Sequence, residues 1–536
     1  MRRALGPFVA AAAIILSAWW WLGMPVQMPA APLSSAEKLH CVSYTPFRGS
    51  QNPLEADTKI EPWQIEEDLA RLAPLTNCVR SYSIEHGLDR IPEIAQRHGL
   101  KVLHGIWLSS NAEKNRQQIE TSVALAKRFP DVIQAIIVGN EVLLRGEMSA
   151  VDLANTIRGV KAQVPVPVTY ADVWEFWLRN RAIYDAVDFV TIHILPYWED
   201  FPIPAGQALA HVDSIRKRVG AAFPDKEILI GETGWPSAGR MREGALPSAA
   251  NQARVLHDVL ALAKRENYRV TVIEAFDQPW KRRLEGTVGG HWGLFDAYTR
   301  EPKFTWGMPV SNHPHWRWQV SAGVVLAVML FAGTAAARRK GDAEPARSTA
   351  AWAGIAANAV ALGVFAPWAA ENMLVESLGA WGWIRSAALV ATAVLAPIVG
   401  TLGLAERVTV PTFAQVIGPG EIRAPNPLAL WLGILLIATC VLALTAALGL
   451  AFDPRYRDFP YAPLTAAIVP FGWLSFVRGD DVGRRAAAEI AAAGVLLLAA
   501  AYIFFNEGSA NWQSLWFCTA ISILSIILVR VRDARG

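Results

Sequence analysis

Eight short runs of apolar and β-branched residues punctuate the first half of the chain: HCVSY (40–44), NCVRSY (77–82), KVLHGIW (101–107), VIQAIIVG (132–139), VPVTY (166–170), VDFVTIH (187–193), EILIG (227–231) and RVTVIEAF (269–276). Most are separated by helix-like patterns. PWQIEEDLARLA (62–73) and NQARVLHDVLALAKREN (251–267) place apolar residues at three- and four-residue spacing. Strands alternating with helices need crossover connections, so the strands run parallel. Eight such units over residues 34–310 match the size of a (β/α)8 TIM barrel.

The rest of the chain is too long and too apolar to belong to that core. Of the 536 residues, 318–530 are rich in Ala, Leu and Val, with charges confined to short clusters. Seven candidate membrane spans fall near 318–337, 349–370, 381–404, 427–451, 460–477, 486–506 and 511–529. Another apolar run, Leu5 to Met24, follows Met1-Arg2-Arg3. That pattern is an export signal or an uncleaved signal anchor; QMPAAP (27–32) is a poor cleavage site, which favours the anchor. The expected division is an N-terminal anchor (1–33), an α/β barrel (34–310) and an all-α membrane domain (311–536). Arg338-Arg339-Lys340, Arg407 with Arg423, Arg478 with Arg484-Arg485, and Arg530, Arg532 and Arg535 all fall on the side of Arg2 and Arg3. By the positive-inside rule, both termini are expected in the cytoplasm and the barrel in the periplasm or outside the cell. Cys41 and Cys78, each at a strand start in that oxidising compartment, are candidates for a disulfide. Cys440 and Cys518 lie in apolar spans and read as packing residues.

Several function classes drop out. A net charge of +3 suggests no nucleic-acid partner. There is no phosphate-cradling glycine loop and no His/Cys set with zinc spacing. No metal or cofactor is indicated. The membrane spans lack the Asp-x-Asp and Gln-x-x-Arg-Trp pair of a processive sugar-nucleotide synthase.

What remains is a pair of carboxyls. AIIVGNEVL (135–143) ends an apolar strand with Glu141, and ILIGETGWP (228–236) ends another with Glu232. In a (β/α)8 barrel, residues just past the strands' C-terminal ends line the active-site mouth. Glu141 follows the fourth strand and Glu232 the seventh, so both face the same mouth. Two carboxyls there suit glycosidic-bond cleavage. One protonates the leaving oxygen, while the other attacks the anomeric carbon or activates water. Asn140, beside Glu141, is placed to bond a sugar 2-hydroxyl.

VGNE (138–141) and GETGWP (231–236) together resemble the family 17 glycoside hydrolases, the β-1,3-glucanase family. EAFDQPWKRRLEG (274–286), HWGLF (291–295), VRSYS (79–83) and HILPYW (193–198) extend that resemblance over residues 40–306. It implies a retaining reaction on β-1,3-glucan, with Glu141 as acid/base and Glu232 as nucleophile. It also implies that Lys281 and Glu285 line the cleft. Gln278 stands where the family often has an acid. A family 17 barrel in a membrane frame further resembles rhizobial membrane proteins that hydrolyse or transfer β-glucan.

Sugars present flat C–H faces to aromatic rings. Tyr197, Trp235 and Trp292 are the expected sugar contacts among Trp107, Trp174, Trp177 and Trp198, which also lie near strand ends. Tyr44 and Tyr82, closing the first two strands, face either substrate and nucleophile or the core. His193 reads as a structural histidine. Thirteen of the 22 tryptophans lie in or beside the apolar spans, as an interfacial belt would. The expected partners are a β-glucan, the lipid bilayer and a separate glucan synthase. The competing readings are a non-catalytic glucan-binding or export component, and the same chemistry on another β-glucan linkage.

Overall fold

The computed structural model describes residues 2–337, 348–418, 424, 426–476 and 486–530. They divide into two compact units: one of residues 26–238 and 244–310, the other of residues 1–25, 239–243 and 311–536.

The first unit is the barrel expected from the eight runs. Its strands are β1 (Cys41–Ser43), β2 (Cys78–Arg80), β3 (Lys101–Ile106), β4 (Ile133–Asn140), β5 (Val168–Val173), β6 (Val190–His193), β7 (Ile228–Thr233) and β8 (Val270–Val272). They close in sequence order, every pair parallel, with β8 returning to β1 through Cys41 opposite Thr271 and Val42 opposite Val272. Alternation sorts the side chains. Val42, Val79, Val102, Ile136, Val168, Val190, Ile192 and Ile230 face outward into the shell of helices and form the main core. The opposite parity fills the barrel with Cys41, Cys78, Leu103, Ala135, Ile137, Ala171, Phe189 and Leu229. Above that apolar plug the interior turns polar. Thr169 and Thr191 share a 2.9 Å hydrogen bond, and Arg80, Asn140, His193 and Glu232 follow toward the mouth.

The register slips where the functional residues sit. It shifts between Ile137 and Asn140 on β4, between Ile192 and His193 on β6, and between Ile230 and Thr233 where β7 meets β8. Such bulges re-aim a side chain without ending the strand. Here they carry Asn140 and Glu232 into the interior at the C-terminal rim.

Cys41 and Cys78 are joined in a disulfide inside the plug, with Cα atoms 4.4 Å apart. The bridge ties β1 to β2 across 37 residues of sequence.

The second unit contains long apolar helices. Ala4–Gly23, Trp316–Ala335, Thr349–Glu376, Gly379–Glu406, Pro427–Phe452, Ala487–Glu507 and Trp512–Val529 are long and apolar enough to cross a membrane. The expected span at 460–477 coincides with the helix Tyr461–Phe476, whose last residue is the last one described there. A short helix, Phe413–Ile417, was not anticipated. The N-terminal helix packs within this unit: Ala11, Ile15 and Trp19 are fully buried, and the Trp19 indole donates to the Gly363 carbonyl at 3.1 Å. Gly363 and Gly323 let two backbones meet. A Cβ on Gly323 would lie 2.2 Å from the Gly363 oxygen, and helices in lipid associate through such close approach. Most of the cationic clusters used to orient the spans (Arg338-Arg339-Lys340, Arg423, Arg478, Arg484-Arg485, Arg532 and Arg535) lie outside the described residues.

Replacing Cys41 and Cys78 together by alanine is expected to destabilise the barrel by about 4 kcal/mol, the scale for a cross-link of this span. The readout is the Tm of the full chain under non-reducing conditions. An unchanged Tm would show that the bridge adds no stability.

Candidate active site

Four strands deliver one buried hydrogen-bond network. Arg80, at the end of β2, is 1 % exposed. Its guanidinium donates to Glu232 Oε1 at 2.8 Å, to the Gly231 carbonyl at 2.8 Å and to Asn140 Oδ1 at 2.5 Å. Its Nη2 also lies 3.3 Å from His193 Nε2. An arginine only donates, so in the neutral imidazole Nε2 accepts there and the proton sits on Nδ1. That nitrogen is 2.7 Å from Glu141 Oε1. The imidazole therefore stands between the two carboxyls, with Nε2 3.6 Å from Glu232 Oε1.

Glu232 is buried and accepts a further 2.8 Å bond from the Tyr82 hydroxyl. Burial alone would raise its pKa. His193 and Arg80 more than offset that, with help from Tyr82 and Lys281, and hold the carboxyl below its usual range. Glu232 is thus kept ionised. The Glu141 side chain keeps 22 % of its surface open. It projects from a turn in which Gly139 has φ +90° and Glu141 itself φ +51°. A glutamate in the left-handed region is strained, and such strain collects at functional sites. Gly139 is required on two grounds, its φ and its contacts: a Cβ would fall 2.6 Å from Val142 Cγ2.

On the other flank, the Lys281 ammonium donates to Glu274 Oε2 at 2.9 Å. Burial pushes Glu274 up to about 7, partly countered by Lys281. Burial opposes the lysine's charge, but Glu274 and Glu285 outweigh it and push Lys281 up to about 12.

Glu141, His193 and Glu232 present three potential ligand atoms within 4.8 Å of one another. The Arg80 guanidinium already holds that corner, so a divalent cation would meet a fixed positive charge. The set suits proton transfer and nucleophilic attack better than metal binding.

Residues 41–293 match the model of the BtgE/BtgC glycoside hydrolase domain. That match spans the barrel and just under half of the chain. Similar curated proteins include a glucan 1,3-β-glucosidase of Candida albicans, 26 % identical over 255 residues, covering 43 % of this chain and 82 % of that one. Another, from Arthroderma benhamiae, is 29 % identical over 263 residues, covering 45 % and 82 %. A solved family 17 β-1,3-glucanosyltransferase of Rhizomucor miehei is 26 % identical and covers 49 % of this chain and 95 % of its own, at a TM-score of 0.44.

Several site residues expected from sequence have no face to offer a sugar. Tyr44 is buried and its hydroxyl donates to Asp68 at 3.0 Å, on the helix Pro62–Leu72. Tyr197 and Trp235 are fully buried and Trp292 is 2 % exposed. The three rings pack edge to face as core behind the mouth, and the Trp235 indole donates to the Leu246 carbonyl at 3.0 Å. Strand-end position correctly brought them near the cleft but does not say which way a ring turns. Trp198, stacked on Trp292 at 17°, and Trp280 are half-buried rings nearby, as are Tyr82 and Trp107. Gln278 is buried with its amide donating to the Thr45 and Phe276 carbonyls at 2.9 and 3.1 Å. An acid there could not make those bonds, which explains the departure from the family pattern.

The network also contains residues the sequence analysis passed over. Arg80 was quoted only as part of a strand. Its signal was legible: a charged residue at the same parity as Cys78, facing into a barrel. Glu274 and Asp172 end β8 and β5 regions as acids and follow the same rule that selected Glu141.

Arg80→Met is expected to cut kcat/KM by at least about 100-fold, since a fixed donor to the Glu232 carboxylate is lost. Losing the positive charge raises the Glu232 pKa, so the acidic limb of the pH profile should move to higher pH. An unmoved limb would show that Arg80 does not keep Glu232 ionised.

Proposed function

We propose that the chain is a membrane-anchored retaining enzyme acting on β-1,3-glucan outside the cytoplasm. The observation that carries the chemistry is the spacing of Glu141 and Glu232, whose nearest oxygens lie within 4.8 Å. Retaining glycosidases hold their carboxyls about 5–5.5 Å apart, while inverting ones leave about 6.5–9.5 Å for a water. The linkage is supported by the names of the relatives, glucan 1,3-β-glucosidases and a β-1,3-glucanosyltransferase.

In this mechanism the ionised Glu232 attacks the anomeric carbon. The glycosidic C–O bond breaks as Glu141 gives its proton to the leaving oxygen. A glucosyl ester on Glu232 and a free sugar hydroxyl result. Glu141, now a base, takes the proton of the incoming acceptor, whose oxygen displaces Glu232 and restores both carboxyls. Asn140, held by Arg80, bonds the sugar 2-hydroxyl, and Lys281 and Glu285 line the cleft. The half-buried Trp198 and Trp280 replace the buried aromatics as stacking surfaces. With water as acceptor the reaction is hydrolysis; with a second glucan it is transglycosylation.

The anchor reading draws support from the N-terminal helix. Ile15 and Trp19 are fully buried against the C-terminal helices, a role that a cleaved signal would not need. The disulfide fits an oxidising compartment. With the N-terminal arginines inside, the barrel lies on the outer side, close to glucan supplied by a separate synthase.

The test incubates the full chain in detergent with a laminari-oligosaccharide of defined length and follows product masses. Shorter products mark hydrolysis, and products longer than the substrate mark transfer. Glu141→Gln and Glu232→Gln should each lower turnover by about 1,000-fold or more while leaving Tm nearly unchanged. Full activity in either variant would refute the assignment.

A further inference from the structure

Next to Glu141 lies a second buried acid that the mechanism above does not use. Tyr170 and Asp172, at the C-terminal end of β5, are 1 % and 0 % exposed. The Tyr170 hydroxyl donates to Asp172 Oδ2. Both side chains then grip the turn that carries Glu141. The Leu143 N–H donates to the Tyr170 oxygen at 3.0 Å, and the Leu144 N–H to Asp172 Oδ2 at 3.4 Å. Asp172 Oδ1 accepts the Val173 N–H at 2.7 Å, fixing the carboxyl to its own strand. The Glu141 N–H donates to the Ala171 carbonyl at 2.8 Å. The strained residue is thus pinned from three consecutive positions of β5.

We propose that Tyr170 and Asp172 are a positioning pair that holds the Glu141 turn in its left-handed form and so keeps the acid/base carboxyl on the leaving oxygen. This rests on the assignment of Glu141 as acid/base. A strained turn reverts to a commoner conformation unless its surroundings over-determine it. Leu143 and Leu144 are backbone donors just past the strained residue, so losing their acceptors frees the segment that aims the carboxyl. Arg145 steadies the far side through the Asn140 and Leu108 carbonyls, at 3.0 and 2.7 Å from its Nη2. It does not bond the amides that Tyr170 and Asp172 take.

The charges around Asp172 agree with this role. Glu141 and Arg145 face it from the β4 turn, His193 from β6 and Tyr170 from its own strand. Burial, partly offset by the Tyr170 bond, pushes Asp172 up to about 6, with the Glu141 charge adding to the rise. Above that pH it is ionised and both oxygens accept as described. Being fully buried and fully bonded, Asp172 has no route to the substrate, so its action passes through Glu141.

The experiment separates positioning from general loss of structure by leaving-group demand. A 2,4-dinitrophenyl leaving group departs without a proton, whereas a sugar hydroxyl needs one. The full chain in detergent is assayed as Asp172→Asn and as Tyr170→Phe, on 2,4-dinitrophenyl β-laminaribioside and on laminaritriose. Asp172→Asn should lower kcat/KM on laminaritriose by about 10- to 100-fold, a share of the ~10²–10⁴ range of acid catalysis. On the dinitrophenyl substrate the loss should stay within about threefold. Tyr170→Phe should show the same split at smaller amplitude and serves if Asp172→Asn does not fold. Equal losses on both substrates, or none, in the folded variants would overturn the pair. Glu141→Gln is the control: without a split in that variant the acid/base assignment fails, whereas a split there alone refutes only the positioning pair.

Discussion

One guanidinium organises the mouth of this barrel. Arg80 is buried, and a buried cation is tolerated only when its donors are matched. Its partners come from three other strands: Asn140 on β4, His193 on β6 and Gly231 with Glu232 on β7. Removing one member of such a set typically costs about 3–5 kcal/mol, because a charge is left unpaired in low dielectric. The same bonds that hold the Arg80 terminal nitrogens fix the Glu232 carboxylate, keep it ionised, orient Asn140 and bring the imidazole that touches Glu141 into place. Stability and chemistry therefore share one network, and the bulges in β4, β6 and β7 are the backbone adjustments that let the side chains converge.

The two carboxyls are held in opposite ways. Glu232 sits at the bulged end of β7, buried, with charged and hydroxyl donors around it. Glu141 stands on a strained turn, open to the cleft, with the His193 imidazole as its hydrogen-bond neighbour. A nucleophile must stay charged and still. An acid/base must reach a leaving group and then an acceptor, and exposure serves that double task. The GNE sequence that ends β4 is the local cost of this arrangement, a turn costing about 1–3 kcal/mol that the neighbouring strand holds in place.

Much of this was legible in the chain. Eight β-branched runs separated by amphipathic segments gave the barrel, and two acids after its fourth and seventh strands gave the pair of carboxyls that meet at its mouth. The long apolar runs matched the described helices closely, the run at 460–477 included, which is the helix Tyr461–Phe476. What failed was side-chain direction. Tyr44, Tyr197, Trp235 and Trp292 lie at strand ends, yet their rings turn into the core, because a large aromatic beside a mouth gains more from burial than from exposure to water. His193 read as structural, and it is fully bonded as such a residue would be; only three-dimensional neighbours reveal that its bonds go to both carboxyls. Arg80 was hidden by a habit of reading β2 as an apolar strand, although its parity with Cys78 pointed inward.

The central claim is that Glu232, ionised by this network, forms a covalent bond to the sugar. The most direct measurement is to treat the full chain with a 2-deoxy-2-fluoro-β-laminaribiosyl fluoride, which accumulates the glycosyl ester, and to map the adduct by peptide mass spectrometry. The account predicts a single adduct on Glu232. An adduct on another residue, or turnover with inversion at the anomeric carbon and no adduct, would contradict it.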